Sequence, residues 1–282
     1  MGAVFKAPAA PCLYGLKRLS LFDKPSLKNP LTILGFGGWA DAGNVSTLSL
    51  AYLRESENAA KLGYIDVHDL LDHTHHRPFV TIEGGFIKEL EMPSFDVHYS
   101  LRRERDLILV SGYELSHGWR EFVSALFELM ETFGSTTLVT VGGLIDNTPH
   151  TKPVRISFLT TSQVMYAKAM AQGLRPSNYT GPASMHSYIL KNSGEKGIDA
   201  MSIWGHVPSY LNTPNPRVVL AVLEKLSSIT ETELNLNRLY VEAALFESKV
   251  NTIVENDERL KEIIKDLERD YDEEERRPSY ID

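Results

Sequence analysis

Polar side chains follow three predicted strands of this chain, and together they could form a small active site. Glu114 and His117 come after one strand, Asp146 after another, and Asp41 after a strand that ends in a glycine-rich turn. The carboxyl ends of parallel strands usually line the ligand site of an open α/β sheet. Carboxylates and an imidazole are the groups that general acid–base catalysis uses. The alternative is that these residues cap helices and turns, which is a common role for polar side chains at such positions.

The glycine-rich segment 35–43 lies between a predicted strand and a predicted helix. The residues that fit the relaxed dinucleotide-binding pattern G-x-G-x-x-A are Gly35, Gly37 and Ala40. Asp66 falls near the end of the next strand, where an acid that binds ribose would lie. A carboxylate at Asp41 would repel a pyrophosphate and compete for the N–H groups at the helix N-terminus. We therefore favour a tight strand-to-helix turn in which Asp41 or Asn44 caps the helix.

A Gly-Gly pair, followed by Asp146 and the segment 147–151, comes after another strand in the same way. Several strand ends with polar residues could therefore line one pocket. The candidate ligand-binding residues are Gly37, Gly38, Trp39, Asp41, Gly142, Gly143 and His150. If the protein is an enzyme, its catalytic candidates are Asp41, Glu114, His117 and Asp146, with Trp39 and His150 beside them.

The tract 72–76 carries three imidazoles that could ligate zinc, nickel or copper, namely His73, His75 and His76. Its spacing matches no metalloprotease helix motif, and solvated histidines without a metal are the favoured interpretation. Cys12 is the only cysteine, which excludes an intrachain disulfide and a cysteine-based zinc site. It has no basic neighbour in the sequence and is expected to be inert. We predict no metal and no cofactor.

The composition is that of an ordinary globular protein, since 43% of the 282 residues are hydrophobic and 23% are charged. The formal net charge of −8 predicts no binding to nucleic acid or to an anionic membrane. No run of 18 consecutive apolar residues is present, and the first residues lack the pattern of a secretory signal. The single cysteine fits a reducing compartment, so we predict a cytoplasmic protein.

Short apolar runs bounded by Gly or Pro alternate with amphipathic stretches, which predicts an α/β sheet. Strands are predicted at 31–36, 62–67, 78–83, 86–90, 95–101, 107–110, 136–141, 155–160 and 200–204. Helices are predicted from 45 onward and at 119–133, 162–172, 182–192 and 214–229. Gly84-Gly85 predicts a hairpin turn, and Gly142-Gly143 is expected to stop its strand. Pro182 and Pro214 suit the first turns of helices, and residues 1–30 suggest an irregular lead-in.

The composition changes near residue 230, which divides the chain into a predicted α/β domain, 1–230, and a helical extension, 231–282. Thr230 and Glu233 have the spacing of a capping box, followed by one amphipathic helix and, after Asn256 or Asp257, another. Residues 255–275 contain eleven Asp or Glu and four Lys or Arg, a net charge of −7. The acidity of the chain is therefore local, and the α/β body is close to neutral.

Three motifs together resemble a known family. The turn Gly37-Gly38-Trp39-Ala40-Asp41-Ala42-Gly43 is similar to the G-W-x-D-A-G turn of proteasome assembly chaperone 2-like proteins. Two further stretches resemble the bacterial branch of that family. They are Gly142-Gly143-Leu144 with Pro149–Val154, and Trp204–Tyr210 with Pro214-Asn215-Pro216. The resemblance covers roughly residues 30–275, in the same order.

The resemblance implies a three-layer α/β/α fold with a mostly parallel mixed sheet, similar to the phosphorylase/nucleosidase architecture, and a small helical C-terminal extension. Eukaryotic and archaeal relatives chaperone the assembly of proteasome rings without a known catalytic centre, and bacterial members are mostly uncharacterised. The fold likeness to nucleosidases is an analogy and does not establish activity.

Two functions follow as hypotheses. The favoured one is a non-enzymatic, assembly-chaperone-like protein that binds other proteins. The alternative is a hydrolase or transferase for a small polar or nucleoside-like ligand at the strand ends. The apolar rows of the C-terminal helices must be covered by the body or by a second copy, so we expect a homo-oligomer, with dimer or trimer left open.

The C-terminal sequence bears on docking to a proteasome. Chaperones of the family can end in a hydrophobic residue, Tyr and any residue, whose carboxylate enters a pocket between ring subunits. Here Tyr280 is third from the end and follows Ser279, and Asp282 adds a charge beside the carboxylate. We predict that this tail does not engage a proteasome ring in that way.

Overall fold

The computed structural model describes residues 18–276. Two sequence predictions, on Cys12 and on the tail 278–282, lie outside the described residues. Within residues 18–276, none of the helices combines the length and the apolar character that a membrane span requires.

Within residues 18–276, eleven strands form one large sheet and one separate hairpin. In chain order they are β1 (Leu19–Leu21), β2 (Leu31–Gly37), β3 (Ala60–Asp66), β4 (Phe79–Glu83), β5 (Phe86–Glu91), β6 (Ser94–Ser100), β7 (Leu107–Tyr113), β8 (Thr137–Asp146), β9 (Ile156–Thr160), β10 (Arg175–Pro176) and β11 (Asp199–Pro208). The large sheet has the order β1-β3-β6-β7-β2-β8-β11-β9-β10. Its four central strands, β7, β2, β8 and β11, are mutually parallel. Their carboxyl ends therefore meet at one edge, as a site built from several strand ends requires.

Seven α-helices accompany the strands in the part of the chain that the structure describes. They are α1 (Val45–Ser56), α2 (Trp119–Thr132), α3 (Gln163–Ala171), α4 (Met185–Glu195), α5 (Pro216–Thr230), α6 (Asn237–Glu255) and α7 (Glu258–Arg276). In the central strand β2, Leu31 and Ile33 belong to the hydrophobic core shared with α1 and α5, whereas Leu34 and Phe36 belong to the core shared with α2 and α4. A strand buried on both faces needs a continuous apolar run, which is what β2 has. Helices on both faces of the sheet make the three-layer α/β/α fold that was predicted.

The structure corrects two strand predictions. Strand β8 does not stop at Gly142-Gly143 but continues to Asp146, because β11 stays parallel to it as far as the pair Asp146–Pro208. The lead-in is not wholly irregular either, since β1 pairs antiparallel with β3. A three-residue edge strand leaves too short a pattern to recognise in the sequence.

Three helix starts also differ from the predictions. Helix α4 begins after Ser184 rather than at Pro182, and the Ser184 hydroxyl accepts a hydrogen bond from the Ser187 N–H at 3.3 Å. In α5 the first-turn proline is Pro216 instead of Pro214. The predicted capping box at Thr230 is wrong, because α5 extends to Thr230 and its hydroxyl donates to the Leu226 carbonyl at 2.8 Å.

The predicted hairpin turn is confirmed. Gly84 and Gly85 join β4 to β5 with φ angles of 59° and 82°, which glycine adopts without strain. The break between the last two helices is confirmed as well. Asn256 ends α6, and the Asp257 carboxylate accepts a hydrogen bond from the Leu260 N–H at 3.1 Å.

Candidate functional site

Asp41 caps helix α1 from the glycine-rich turn. One carboxylate oxygen accepts hydrogen bonds from the N–H groups of Ser46 at 2.7 Å and Thr47 at 3.1 Å. The other oxygen accepts from the Thr47 hydroxyl at 2.7 Å. Burial raises the pKa of Asp41, and these three hydrogen bonds oppose that rise. The capping role predicted for Asp41 is confirmed, whereas Asn44 makes no capping side-chain bond.

The two glycine motifs contact each other directly. The Gly143 N–H donates to the Ala40 carbonyl at 2.8 Å, and Asp41 forms a short parallel bridge with Gly143. A Cβ atom at Gly143 would lie 2.4 Å from the Ala42 carbonyl oxygen, and one at Gly142 would lie 2.8 Å from the Trp204 ring. Both contacts are closer than a side chain tolerates. Gly143 thus lets the turn cross over β8 three residues before the strand ends, and Gly142 leaves room for the Trp204 ring.

Glu114 joins the same turn to helix α4. One of its carboxylate oxygens accepts a hydrogen bond from the Trp39 N–H, and the other accepts from the Met185 N–H, both at 3.2 Å. Gly38, at φ 131°, leaves room for this contact, since a Cβ there would lie 2.8 Å from that of Glu114. The Trp39 side chain itself is two-thirds exposed. Glu114 therefore holds the backbone of the turn and of α4 in place, and each of its carboxylate oxygens already accepts a hydrogen bond.

His117 makes its contact away from the glycine-rich turn. Its Nε2 atom hydrogen-bonds the Asp69 carbonyl at 3.0 Å, which ties the loop before α2 to the segment after β3. No hydrogen bond in residues 18–276 joins His117 to Glu114, Asp41 or Asp146. The four catalytic candidates consequently make four separate sets of contacts.

Asp146 belongs to a polar relay that the sequence did not predict. His206 Nδ1 lies 2.8 Å from an Asp146 carboxylate oxygen, and His206 Nε2 lies 2.9 Å from the Ser157 hydroxyl. The hydrogen bond from His206 lowers the pKa of Asp146, and Arg155, 3.2 Å from the same oxygen, acts in the same direction. Only the pairing of β8, β11 and β9 brings these residues together. A sequence signal existed in the alternation of β11, which places His206 and Trp204 on one face of the strand.

The relay has the order of groups found in serine hydrolases, in which Asp orients His and His activates Ser. Here the Ser157 side chain is buried within β9, and the residue is 7% exposed. Arg155 also shares the carboxylate with His206 and forms an ion pair with Glu274 of α7 at 2.8 Å. Through Arg155, the relay therefore connects strands β8, β11 and β9 to helix α7.

His150 anchors α6, the helix that precedes α7. Its backbone N–H donates to the Tyr210 hydroxyl at 2.7 Å, and its Nδ1 atom lies 2.7 Å from the same oxygen. Its Nε2 atom lies 3.0 Å from the Asn251 side-chain oxygen in α6. Burial lowers the pKa of His150, so the neutral ring is favoured. Both ring nitrogens of His150 are therefore engaged.

The segment 151–155 and Arg175 hold α7 by charge. Lys152 lies 2.7 Å from Asp272, and Arg175 pairs with Glu275 and, at 3.5 Å, with Glu274. Thr151 hydrogen-bonds Glu268, and the Tyr271 hydroxyl donates to the Pro153 carbonyl at 3.2 Å. The acidic run at the C-terminus is thus partly neutralised by basic residues of the body.

The histidine tract makes local contacts. His75 Nδ1 lies 3.0 Å from the Asp72 carboxylate, and the His76 ring packs on Tyr113 with centroids 4.6 Å apart. His73 Nδ1 lies 3.4 Å from the His76 carbonyl. In the described part of the chain, the one group that places three potential metal ligands together is Asp66, His68 and Asp69. Arg18 binds both carboxylate oxygens of Asp69, at 2.8 and 3.0 Å, and so competes with any cation there.

Two cavities open on the face that carries α1. The larger, of about 260 Å³, lies between α1 and strands β6 and β7 and is lined by Arg54, His98 and Tyr113, among others. The smaller, of about 130 Å³, lies between α1 and α6. Asp41, Glu114 and Asp146 line neither cavity.

Comparisons with known proteins point to one protein family. A family model described as the PAC2 family matches residues 35–254. No curated protein matches the chain. Among solved structures, a PAC2 family protein from Streptomyces avermitilis is 28% identical with a TM-score of 0.73, and 83% of this chain and 99% of that chain are covered.

Two further structures are similar. A proteasome-assembly chaperone homologue from Mycobacterium tuberculosis is 28% identical with a TM-score of 0.75, and the coverage is 83% of this chain and 99% of that one. A Mycobacterium tuberculosis protein of unknown function has a TM-score of 0.80 at 23% identity, with 93% and 94% covered. At that identity the likeness concerns the fold alone.

Proposed function

The chain belongs to the PAC2 family, and on that premise we propose that it is a non-enzymatic, assembly-chaperone-like protein that acts by binding other proteins. The relative that is 28% identical and described as a proteasome-assembly chaperone homologue supports this role. We further propose that the protein acts in the cytoplasm, that it needs no cofactor, and that one of its partners is a second copy of itself.

One observation in the structure carries the proposal. The carboxylates that follow the central strands are occupied in holding the fold, since Asp41 caps α1 and Glu114 accepts from two backbone N–H groups. Asp146 is paired with His206 and Arg155. A catalytic acid or base must instead reach the proton that it transfers. These residues are therefore better explained as supports of a rigid scaffold that presents a binding surface.

A reconstitution assay tests the role. Purified proteasome α- and β-subunits of Mycobacterium tuberculosis, the organism of the similar chaperone homologue, are mixed with and without the chain. Ring formation is then followed on native gels and by peptidase activity. We expect rings to appear earlier in the presence of the chain, with a transient complex that contains it. An unchanged rate together with no complex would contradict the chaperone-like role.

A second arm addresses the enzyme alternative through the relay. Hydrolysis of p-nitrophenyl acetate is compared for the unaltered chain, for Ser157→Ala, and for Ser209→Ala as a control at an exposed serine outside the relay. We expect the same background rate in all three. A rate that is lost in Ser157→Ala alone would show that the relay activates a nucleophile, and the non-enzymatic assignment would then be wrong.

A further inference from the structure

The larger cavity, of about 260 Å³, is formed by one helix and two strands. Helix α1 contributes four residues with the spacing of a single helix face, and these are Thr47, Leu50, Ala51 and Arg54. Beside the helix, β6 and β7 pair antiparallel, with Asp96 opposite Ser111 and His98 opposite Leu109. Directly paired residues point to the same side of a sheet, so both strands turn these side chains toward α1.

The side of β6 that faces this cavity is polar, although a helix lies next to it. Phe95 and Val97 belong to the hydrophobic core on the other face of the sheet, which α2 and α4 share. The alternate residues of the strand line the cavity, and they are Ser94, Asp96 and His98. Such alternation is usual where one side of a strand is in water. Here α1 turns that polar side into one wall of a cleft.

Four polar side chains that line the cavity have no hydrogen-bond partner within residues 18–276, and they are Arg54, His98, Ser111 and Tyr113. His98 is only 7% exposed. Burial lowers the pKa of His98, Asp96 opposes this shift, and Lys61 and Arg54 add to it. The neutral ring offers one N–H donor and one acceptor nitrogen. Because polar groups that are this buried are normally paired, a bound molecule is a physical explanation for the free ones.

The charges near His98 favour an anion at that end of the cavity. Arg54 and Lys61 are both cations close enough to affect its pKa. Lys61 lies 2.5 Å from Asp96 and offsets the charge of that carboxylate. Arg54 has no ion pair in the part of the chain that the structure describes, and its planar set of N–H donors matches a carboxylate or a phosphate group. An anionic group placed there would supply the missing counter-charge.

The other end of the cavity carries hydroxyl groups. A Cβ atom at Gly37 would lie 3.1 Å from the Tyr113 ring and 3.4 Å from the Thr47 methyl group, which places both side chains where β2 ends. Ser111 is two residues before Tyr113 on the same side of β7. The hydroxyl groups of Ser111 and Tyr113 can donate and accept hydrogen bonds, as can those of a sugar. The Asp96 carboxylate, opposite Ser111, could accept from a ligand hydroxyl as well.

We propose that this cavity binds a small polyhydroxylated anion, a sugar acid or a sugar phosphate, with its anionic group between Arg54 and His98 and its hydroxyl groups near Ser111 and Tyr113. The volume sets the size of the ligand, because it lies just below the about 300–1,000 Å³ of sites for drug-sized molecules. Carboxylate and phosphate share the chemistry that Arg54 recognises. The inference goes beyond the proposed assembly role, since it gives the protein a small-molecule ligand without any catalysis.

Isothermal titration calorimetry on the full chain tests the site with gluconate, glucose 6-phosphate and uncharged glucose as probes. At least one charged probe should bind at one site per chain, and glucose should bind about tenfold more weakly, because it lacks a charge-assisted hydrogen bond. The charged probe that binds more tightly distinguishes a sugar acid from a sugar phosphate. Arg54→Gln should weaken binding of the charged probe about tenfold. The matched control is Arg120→Gln, at an exposed arginine of α2 on the other face of the sheet, and it should bind like the unaltered chain.

A second variant separates recognition of the hydroxyl groups from recognition of the charge. Ser111→Ala keeps Arg54 and His98, so it should weaken binding of the charged sugar probe about fivefold and leave binding of inorganic phosphate unchanged. Thermal unfolding checks that each variant is folded. Backbone amide NMR shifts on addition of the charged probe should be largest at residues 94–98 and 109–113.

Three outcomes would overturn the proposal. The first is that neither charged probe binds at millimolar concentration, or that glucose binds equally well. The second is that Arg54→Gln and Arg120→Gln have the same effect. The third is that the NMR shifts lie outside the cavity. The ring-assembly assay contains no sugar, so its result does not depend on this site and the two proposals can fail separately.

Discussion

At the scale of single residues, Asp41 serves the fold, because its carboxylate oxygens satisfy donors in the first turn of α1. Asp41→Ala removes these acceptors and should lower the free energy of unfolding by about 1–2 kcal/mol, the usual cost of losing such a cap. Asp41→Asn keeps one acceptor oxygen and should lose less. Thermal or urea unfolding measures both changes. An unchanged unfolding midpoint in the alanine variant would show that the cap is dispensable.

His150 gives the stability of the protein a defined dependence on pH. Burial places its pKa below the ordinary 6.5, while Asn251 and the nearby Glu247 and Glu268 oppose the shift and Arg217 adds to it. The unfolded chain therefore takes up a proton at a higher pH than the folded chain does. Stability should fall as the pH drops below about 6.5 toward the lowered folded-state value.

The variant His150→Gln isolates this contribution. Other buried histidines, such as His186, whose pKa burial lowers to about 3, act in the same direction and remain in the variant. The unaltered chain should therefore lose stability more steeply than His150→Gln between pH 7 and pH 5, as measured by urea unfolding. Parallel curves for the two proteins would mean that His150 does not titrate with folding.

At the scale of elements, the crossing of the glycine-rich turn over β8 depends on the absence of a side chain at Gly143. Gly143→Ala would place a Cβ 2.4 Å from the Ala42 carbonyl oxygen, which is backbone and cannot move away easily. We expect a loss of about 2 kcal/mol or more, in the range of overpacked cores. Gly194→Ala is the control, because its nearest contact, 3.1 Å from the Thr161 Cβ, is much less severe. Equal unfolding midpoints for the two variants would refute this account.

The attachment of α7 is electrostatic, since Ile264 is its one buried residue in the part of the chain that the structure describes. Arg175→Ala removes contacts to Glu274 and Glu275 and should speed hydrogen exchange in α7 roughly a few-fold. Raising the salt concentration should do the same to the unaltered chain, because salt screens exposed ion pairs. Helix α2, which is packed on the sheet by apolar residues, should be unaffected by either change. Exchange that rises equally in α2 would indicate global rather than local loosening.

Elements with strong local patterns could be predicted from the sequence. The apolar run of β2, the glycine pair between β4 and β5, and the helical spacing from Trp119 to Phe133 each lie within one short stretch of the chain. The cap at Asp41 was also predictable, since it spans only six residues. The crossing of the glycine-rich turn over β8 could not be predicted in the same way. Whether Gly142-Gly143 ends its strand depends on pairing with β11, which is distant in the sequence.

The relay of Asp146, His206 and Ser157 could not be predicted from the sequence for the same reason. His206 is 60 residues from Asp146 and 49 from Ser157, so their contact depends on the register of three strands. Of the candidate site residues, the sequence identified Asp41, Glu114 and Asp146 as special but could not show what each one binds. Glu114, for instance, accepts from the Met185 N–H, which is 71 residues away.

At the scale of the whole molecule, helices α6 and α7 differ in how they are attached to the α/β body. Leu234 and Leu236, which lead into α6, and Leu239 within it are part of the hydrophobic core shared with α1 and α5. His150 further fixes α6 through Asn251. Helix α7 lies on the surface through ion pairs. We therefore propose that the division at residue 230 marks a change in composition, while the physical boundary of the body lies between α6 and α7.

Two truncations test this boundary. A chain that ends at Asp257 lacks only α7 and the residues after it, and it should stay folded with a modest loss of stability, because it loses mainly exposed ion pairs. A chain that ends at Thr232 also loses Leu234, Leu236 and Leu239, and it uncovers the apolar side of α5. Each such side chain contributes about 1.5–3 kcal/mol when buried, which together approaches the whole stability of a typical domain. The shorter chain should therefore aggregate or unfold non-cooperatively in a thermal scan. Similar cooperative unfolding of both truncations would place the boundary at residue 230 instead.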